Sequence, residues 1–127
     1  MINEDDDGKV IIFMTSGPKT PERCATPFYT AAMACVMDAE ASVFCQIDGA
    51  ALMKKGVAAN LEALEGGKTI LGFIQDAKEA GVEIYVCSAA MQLHDMTEDD
   101  LIEECNGVVG AAYMVEEGLE ANLVLTY

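Results

Sequence analysis

Apolar residues along this chain gather into short unbroken runs, separated by longer amphipathic or small-residue stretches. The run Val10-Ile11-Ile12-Phe13-Met14, closed by Thr15-Ser16-Gly17-Pro18, has no alternating polar positions. It predicts a strand buried on both faces, as strands inside parallel sheets are. After a loop holding Pro18 and Pro21, the stretch Thr26 to Ala39 is rich in Ala and Met. Thr26 suits an N-cap and Pro27 the first turn, so a helix is predicted there. Ser42 to Ile47 predicts a second strand, ending at the turn pair Asp48-Gly49. A stretch without clear periodicity follows. Ile70, Phe73, Ile74 and Ala77 then recur at three- and four-residue spacing, predicting a helix from Thr69 to Ala80 that stops at Gly81. Glu83 to Cys87 predicts a third strand, with Ser88-Ala89-Ala90 turning the chain. Thr97 and Asp100 suit the capping box of a short helix running to Glu104 and ended by Asn106-Gly107. A short strand Val108-Val109, a helix Ala111 to Leu119 and a last strand Asn122 to Thr126 complete the pattern.

Strands alternating with helices at this spacing imply right-handed crossovers between parallel strands. The predicted fold is an α/β three-layer sandwich: a mostly parallel sheet of about five strands with helices on both faces, in a flavodoxin-like arrangement. At 127 residues the chain has room for one core. A single domain is expected over residues 9–127, preceded by an acidic flexible tail, residues 1–8, that carries Glu4-Asp5-Asp6-Asp7.

Composition narrows the range of partners. With 22 acidic against 7 basic residues the formal charge is −15, which argues against a nucleic acid or an anionic membrane as partner. From Phe28 to Met37 the first helix is apolar or small nearly all the way round. One sheet face cannot bury all of that, so a neighbouring subunit is expected, with Ala31, Ala32 and Ala34 permitting close approach. The five cysteines are odd in number and too few for a disulfide scaffold. Together with the lack of a signal-peptide pattern they lead to the expectation of a reduced, cytoplasmic protein.

In an open parallel sheet, ligands sit at the carboxyl ends of the strands. Cys87, the last residue of the third predicted strand, falls there and is the candidate nucleophile; the alternative is a packed strand-end thiol. Cys24, in the loop after the first strand, shares that edge and is a candidate resolving thiol, with packing again the alternative. Cys35 and Cys45 read as core residues and Cys105 as a helix-end residue. No pair of cysteines has C-x-x-C spacing, so neither a metal nor a cofactor is expected. Lys19, Arg23, Lys54 and Lys55 all follow the first two strands and are candidates to ring the same edge, with Arg23 a candidate for stabilising a thiolate; for Lys54 and Lys55 the favoured alternative is an ordinary solvated lysine. His94, the sole histidine, lies seven residues beyond Cys87 and is a candidate proton donor. Asp48 is first of all a turn residue and only secondarily a site residue. The segment Thr15 to Thr20 lacks the spacing of a phosphate loop, and Pro18 removes an N–H that such a loop would use. A phosphorylated receiver domain would want an aspartate where Cys87 stands.

The combination resembles the DsrE/DsrF-like family, which includes the TusD-type sulfur-relay proteins. The likeness rests on Thr15-Ser16-Gly17 closing the first strand, on Ala31-Ala32-Met33-Ala34, and on Val43-Phe44 with Asp48-Gly49. It rests above all on Gly81 to Cys87 followed by Met91 and the segment Thr97 to Ile102. The resemblance implies that Cys87 carries sulfane sulfur as a persulfide and passes it to an acceptor thiol. It also implies sulfur donor and acceptor proteins as partners, such as a TusA-like carrier, and a trimer or hexamer. Whether such a chain is a sulfurtransferase or a carrier stays open. Two other readings stand beside it: a non-catalytic oligomeric assembly module in which Cys87 is packed, and a small-anion or nucleotide-sensing module using the same sheet edge.

Overall fold

The computed structural model describes residues 8–127. Most of the expected acidic tail, residues 1–7, lies outside the described residues, while the Gly8 carbonyl already accepts from the Glu40 N–H at 2.8 Å. The apolar runs form five strands: β1 (Lys9–Met14), β2 (Glu40–Cys45), β3 (Glu83–Cys87), β4 (Gly107–Val109) and β5 (Leu123–Thr126). They make one sheet in the order β4-β3-β2-β1-β5, and every neighbouring pair is parallel. The helices are α1 (Thr26–Val36), α2 (Ile70–Ala80), α3 (Ser88–Leu93) and α4 (Ala111–Glu120).

Strand periodicity sorts the core into two halves. Val10, Ile12, Met14, Val43, Cys45, Ile84 and Val86 point to one face, where they pack with Phe28 and Ala31 of α1 and with Ile70, Ile74 and Ala77 of α2. Ile11 and Phe44 point to the other, against Met114 of α4. The sheet grows from β1 to β4 in one direction. The last connection returns across the opposite face to place β5 beside β1, as right-handed crossovers demand when the direction reverses. The result is the expected three-layer α/β sandwich with helices on both faces. The second face is the thinner one: among the described residues α4 is the one helix over it, and Phe13, Tyr85, Cys87 and Val109 remain half-buried there.

Local signals account for the ends of α2, whereas Thr26, expected to cap α1, is its first residue and Ala25 precedes it with no side-chain cap. The Thr69 hydroxyl accepts from the Gly72 N–H at 3.1 Å and caps α2, and Gly81 at φ 109° ends it. Four boundaries depart from expectation. Helix α1 stops at Val36, not Ala39, because Asp38 adopts φ 68° and the Ala39 N–H turns back to the Ala34 carbonyl. Strand β2 runs Glu40–Cys45 and not Ser42–Ile47; the chain leaves the sheet at Gln46 into the 3-10 segment Ile47–Met53, so Asp48-Gly49 is not a simple turn. Ser88-Ala89-Ala90 is the first turn of α3 and not a loop. Finally, the capping box of Thr97 and Asp100 closes a single 3-10 turn, Glu98–Asp100, and the chain is extended again at Leu101. That carboxylate, bonded to the Thr97 N–H, sits below the usual range.

Candidate functional site

Strands β2 and β3 end side by side, with Cys45 in register with Val86, so the segments leaving them form the two walls of a cleft at the carboxyl edge of the sheet. The cleft holds about 260 Å³ and is lined by Gln46 and Ile47 on one side and by Cys87, Ala89, Ala90 and Leu93 on the other. Cys87 is the last residue of β3 and immediately precedes α3, at φ −73° and ψ 127°. Strand alternation turns its side chain toward the thinly covered face shared with Tyr85, which leaves the residue half-buried at the cleft. Ile47 and Leu93, which also line the cleft, are 53% and 70% exposed, so two large apolar side chains stand at its rim.

Glycine sets how closely the neighbouring loops approach. A Cβ on Gly17 would stand 2.2 Å from the Asp48 carbonyl oxygen, and one on Gly49 would stand 2.4 Å from the Met14 carbonyl oxygen. The loop after β1 and the segment after β2 therefore lie backbone against backbone, and only residues without a side chain fit at those two positions. Ile47, next to this contact, is held at φ 51°, a left-handed conformation that costs a β-branched residue roughly 1–3 kcal/mol. Its carbonyl accepts a hydrogen bond from His94 Nε2 at 2.9 Å, and Asp48 Oδ1 lies 3.8 Å from the same nitrogen.

The sequence-nominated residues thus divide. Cys87, His94 and Asp48 gather around one end of the cleft, although His94 bonds the Ile47 backbone and is not among the lining residues. Cys24 takes a different place: it is fully buried, its thiol donating to the carbonyls of Gly17 at 3.2 Å and Thr20 at 3.4 Å. Burial, with the Glu22 charge adding to it, pushes that thiol up to about 11. Arg23 is exposed and lines a separate, smaller cleft with Ser16, Glu22, Thr26 and Tyr127. The expected ring of cations does not form at Cys87: none of Lys19, Arg23, Lys54 and Lys55 lines its cleft, and the Lys55 ammonium is bound to the Asp99 carbonyl at 2.8 Å. Cys45 is fully buried, and Cys35 and Cys105 are partly so; burial raises the thiols of all three. Among the described residues no group of three or more His, Cys, Asp or Glu side chains is placed to hold a metal ion. Sequence reasoning missed Ile47 and Leu93 as rim residues and Gly17 and Gly49 as the close contact. The glycines carried a legible signal, since each follows a buried strand by only a few residues.

Comparison with known proteins places this geometry. Among curated proteins none matches the chain. Solved structures share the fold. The crystal structure of the ychN protein from E. coli superposes with a TM-score of 0.77 at 15% identity, over 95% of this chain and 99% of that one. The protein of unknown function MTH1491 from Methanobacterium thermoautotrophicum superposes with a TM-score of 0.68 at 17% identity, over 96% of this chain and all of that one (100%). At those identities the likeness speaks for the fold alone. The family model of the DsrE/DsrF-like family, a family associated with sulfur relay, matches residues 8–125. With that match spanning nearly the whole sheet and the Cys87 edge, the chain belongs to the DsrE/DsrF-like family.

Proposed function

We propose that this protein is an intracellular sulfur-relay protein that carries sulfane sulfur as a persulfide on Cys87 and passes it to an acceptor thiol. The single observation that carries the reading is the position of Cys87: a half-buried thiol at the carboxyl end of a central strand, opening into a cleft with apolar walls. In the first step the Cys87 thiolate attacks the outer sulfur of a donor persulfide, forming a new S–S bond while the donor's inner sulfur leaves as thiolate. In the second, an acceptor thiolate attacks the outer sulfur now on Cys87, and Cys87 departs as thiolate. No net oxidation or reduction occurs, and no cofactor is needed. Donor and acceptor are proteins presenting a cysteine, a TusA-like carrier among them, met in a reducing cytoplasm. Among the described residues no helix is long and apolar enough to cross a membrane.

Assembly is the second part of the proposal. Helix α1 buries Phe28 and Ala31 on the sheet yet exposes Tyr29, Met33 and Val36, and Met37, just past its end, continues that stripe. With Leu123 and Val10, Tyr29, Met33 and Met37 border an apolar groove of about 380 Å³. A further copy of the chain is the economical cover, in a homo-oligomer with the trimeric or hexameric closure that the family resemblance implies.

The test is a mass measurement after incubation with a sulfane-sulfur donor. Wild type is expected to gain about 32 daltons, one sulfur atom, and Cys87→Ser to gain nothing. No increment on wild type, or one that survives Cys87→Ser, overturns the assignment. Fast alkylation of Cys87 without sulfur loading would instead favour the sensing module, and a thiol that reacts only after unfolding the assembly module.

A further inference from the structure

The cleft at Cys87 has two walls that belong to different crossovers; these meet farther off through Lys55 with Asp99 and Asp100 and through the Ile102 N–H with the Met53 carbonyl, and His94 joins them at the rim. His94, at the C-terminal end of α3, donates from Nε2 to the carbonyl of Ile47 at 2.9 Å, bridging 47 residues of sequence. The residue it grips is the one rim residue in a left-handed backbone conformation, φ 51°. Left to itself a β-branched residue leaves that region, because its Cβ crowds the following carbonyl. Across the mouth stand two large apolar side chains, Ile47 and Leu93, both more than half exposed. Water favours their collapse onto each other, across the cleft that Cys87 also lines.

From this we infer that His94 is a positioning residue that holds the mouth of the Cys87 cleft open: its hydrogen bond braces Ile47 in a conformation that keeps Ile47 and Leu93 apart. The same bond explains why the sole histidine sits beside the site without lining it. Asp48 Oδ1 lies 3.8 Å from His94 Nε2, beyond hydrogen-bond distance, so the tie is the bond to the Ile47 carbonyl. The inference rests on Cys87 being the reacting sulfur of the proposed relay, but it concerns access to that sulfur and not its transfer.

The experiment reads access directly, as the rate of Cys87 alkylation by N-ethylmaleimide in the folded full-length chain. Removing the brace in His94→Ala is expected to slow the reaction about fivefold, as the rim relaxes and closes. His94→Gln, whose amide N–H reaches the position of Nε2, is expected to stay within about twofold of wild type. In an Ile47→Asn background, where the left-handed conformation is tolerated, the same His94→Ala change is expected to cost less than about twofold. Continued protection of Cys45 reports that each variant is folded. Should His94→Ala fail that check, His94→Asn, with an amide too short to reach Ile47, carries the same expectation. An unchanged or faster rate in the unbraced variants overturns the inference, as does a His94→Gln chain slowed as much as His94→Ala. Because no sulfur donor is present, loss of the persulfide reading leaves this result standing, and the reverse holds too.

Discussion

Cys24 and Cys87 lie on the same edge of the same sheet, yet their surroundings make them different chemical objects. Cys24 follows β1 in a loop that folds down on itself, so its sulfur is sealed and its proton is shared between two carbonyl oxygens. Cys87 ends β3 on the thinly covered face, packed beside the cluster of Ile11, Phe44 and Met114, and stays half-open beside a cleft. The difference teaches that a thiol's use depends less on which strand end it occupies than on whether the next segment closes over it. In one case the carbonyls of Gly17 and Thr20 stabilise the neutral thiol; in the other the chain turns away at once into α3.

The sharpest way to break this contrast is a competition for alkylating reagent. At pH 8 only about one Cys24 in a thousand would be ionised, given its upward shift to about 11, so Cys87 is expected to outpace it by about a hundredfold or more in the folded protein. Peptide mapping after partial labelling checks this, and equal labelling would erase the distinction. Next in size, Gly49→Ala drives a Cβ into the Met14 carbonyl and is expected to destabilise the protein by about 2–3 kcal/mol, measured by denaturant unfolding. It should also disturb the Ile47 wall of the Cys87 cleft while leaving the far ends of the strands intact.

The pH dependence sharpens the comparison from the side of Cys24. Its folded value is raised from 9.0 to about 11, so folding favours the protonated form. Stability from this group is therefore complete below about pH 9 and is lost as pH rises through about 11. Unfolding midpoints across that window are expected to fall, and to fall less in Cys24→Ala. The smallest effect is that substitution itself at neutral pH: a loss of about 1 kcal/mol for the buried thiol, with sulfur loading on Cys87 unchanged. A Cys24→Ala chain that no longer accepts sulfur would show that the two thiols act together after all.

Much of the architecture was legible before any coordinates. Unbroken apolar runs mark strands covered on both faces, and the spacing of Ile70, Ile74 and Ala77 with Thr69 and Gly81 at the ends defines α2 to within a residue. The elements that were misplaced share a cause. At Ile47 the chain keeps an apolar, β-branched residue where the strand has already ended, because a hydrogen bond from His94 and the close approach of Gly17 hold it there. Ser88-Ala89-Ala90 has no helical signature of its own and becomes helical in contact with the segment after β2. The expected cationic ring failed for a similar reason: loops that follow neighbouring strands need not face the same cleft.

What the amino-acid order determined alone is the alternation of strands and helices, the parallel sheet that follows from it, and the arrival of Cys87 at a strand's carboxyl end. These depend on periodicity and backbone chirality, which are local properties of the chain. Which thiol is sealed and which is open, and that His94 reaches a backbone carbonyl rather than a sulfur, was decided only by the tertiary structure. Burial and hydrogen-bond partners are supplied by segments far away in sequence, and the free energy of a thiol or an imidazole is set by those neighbours.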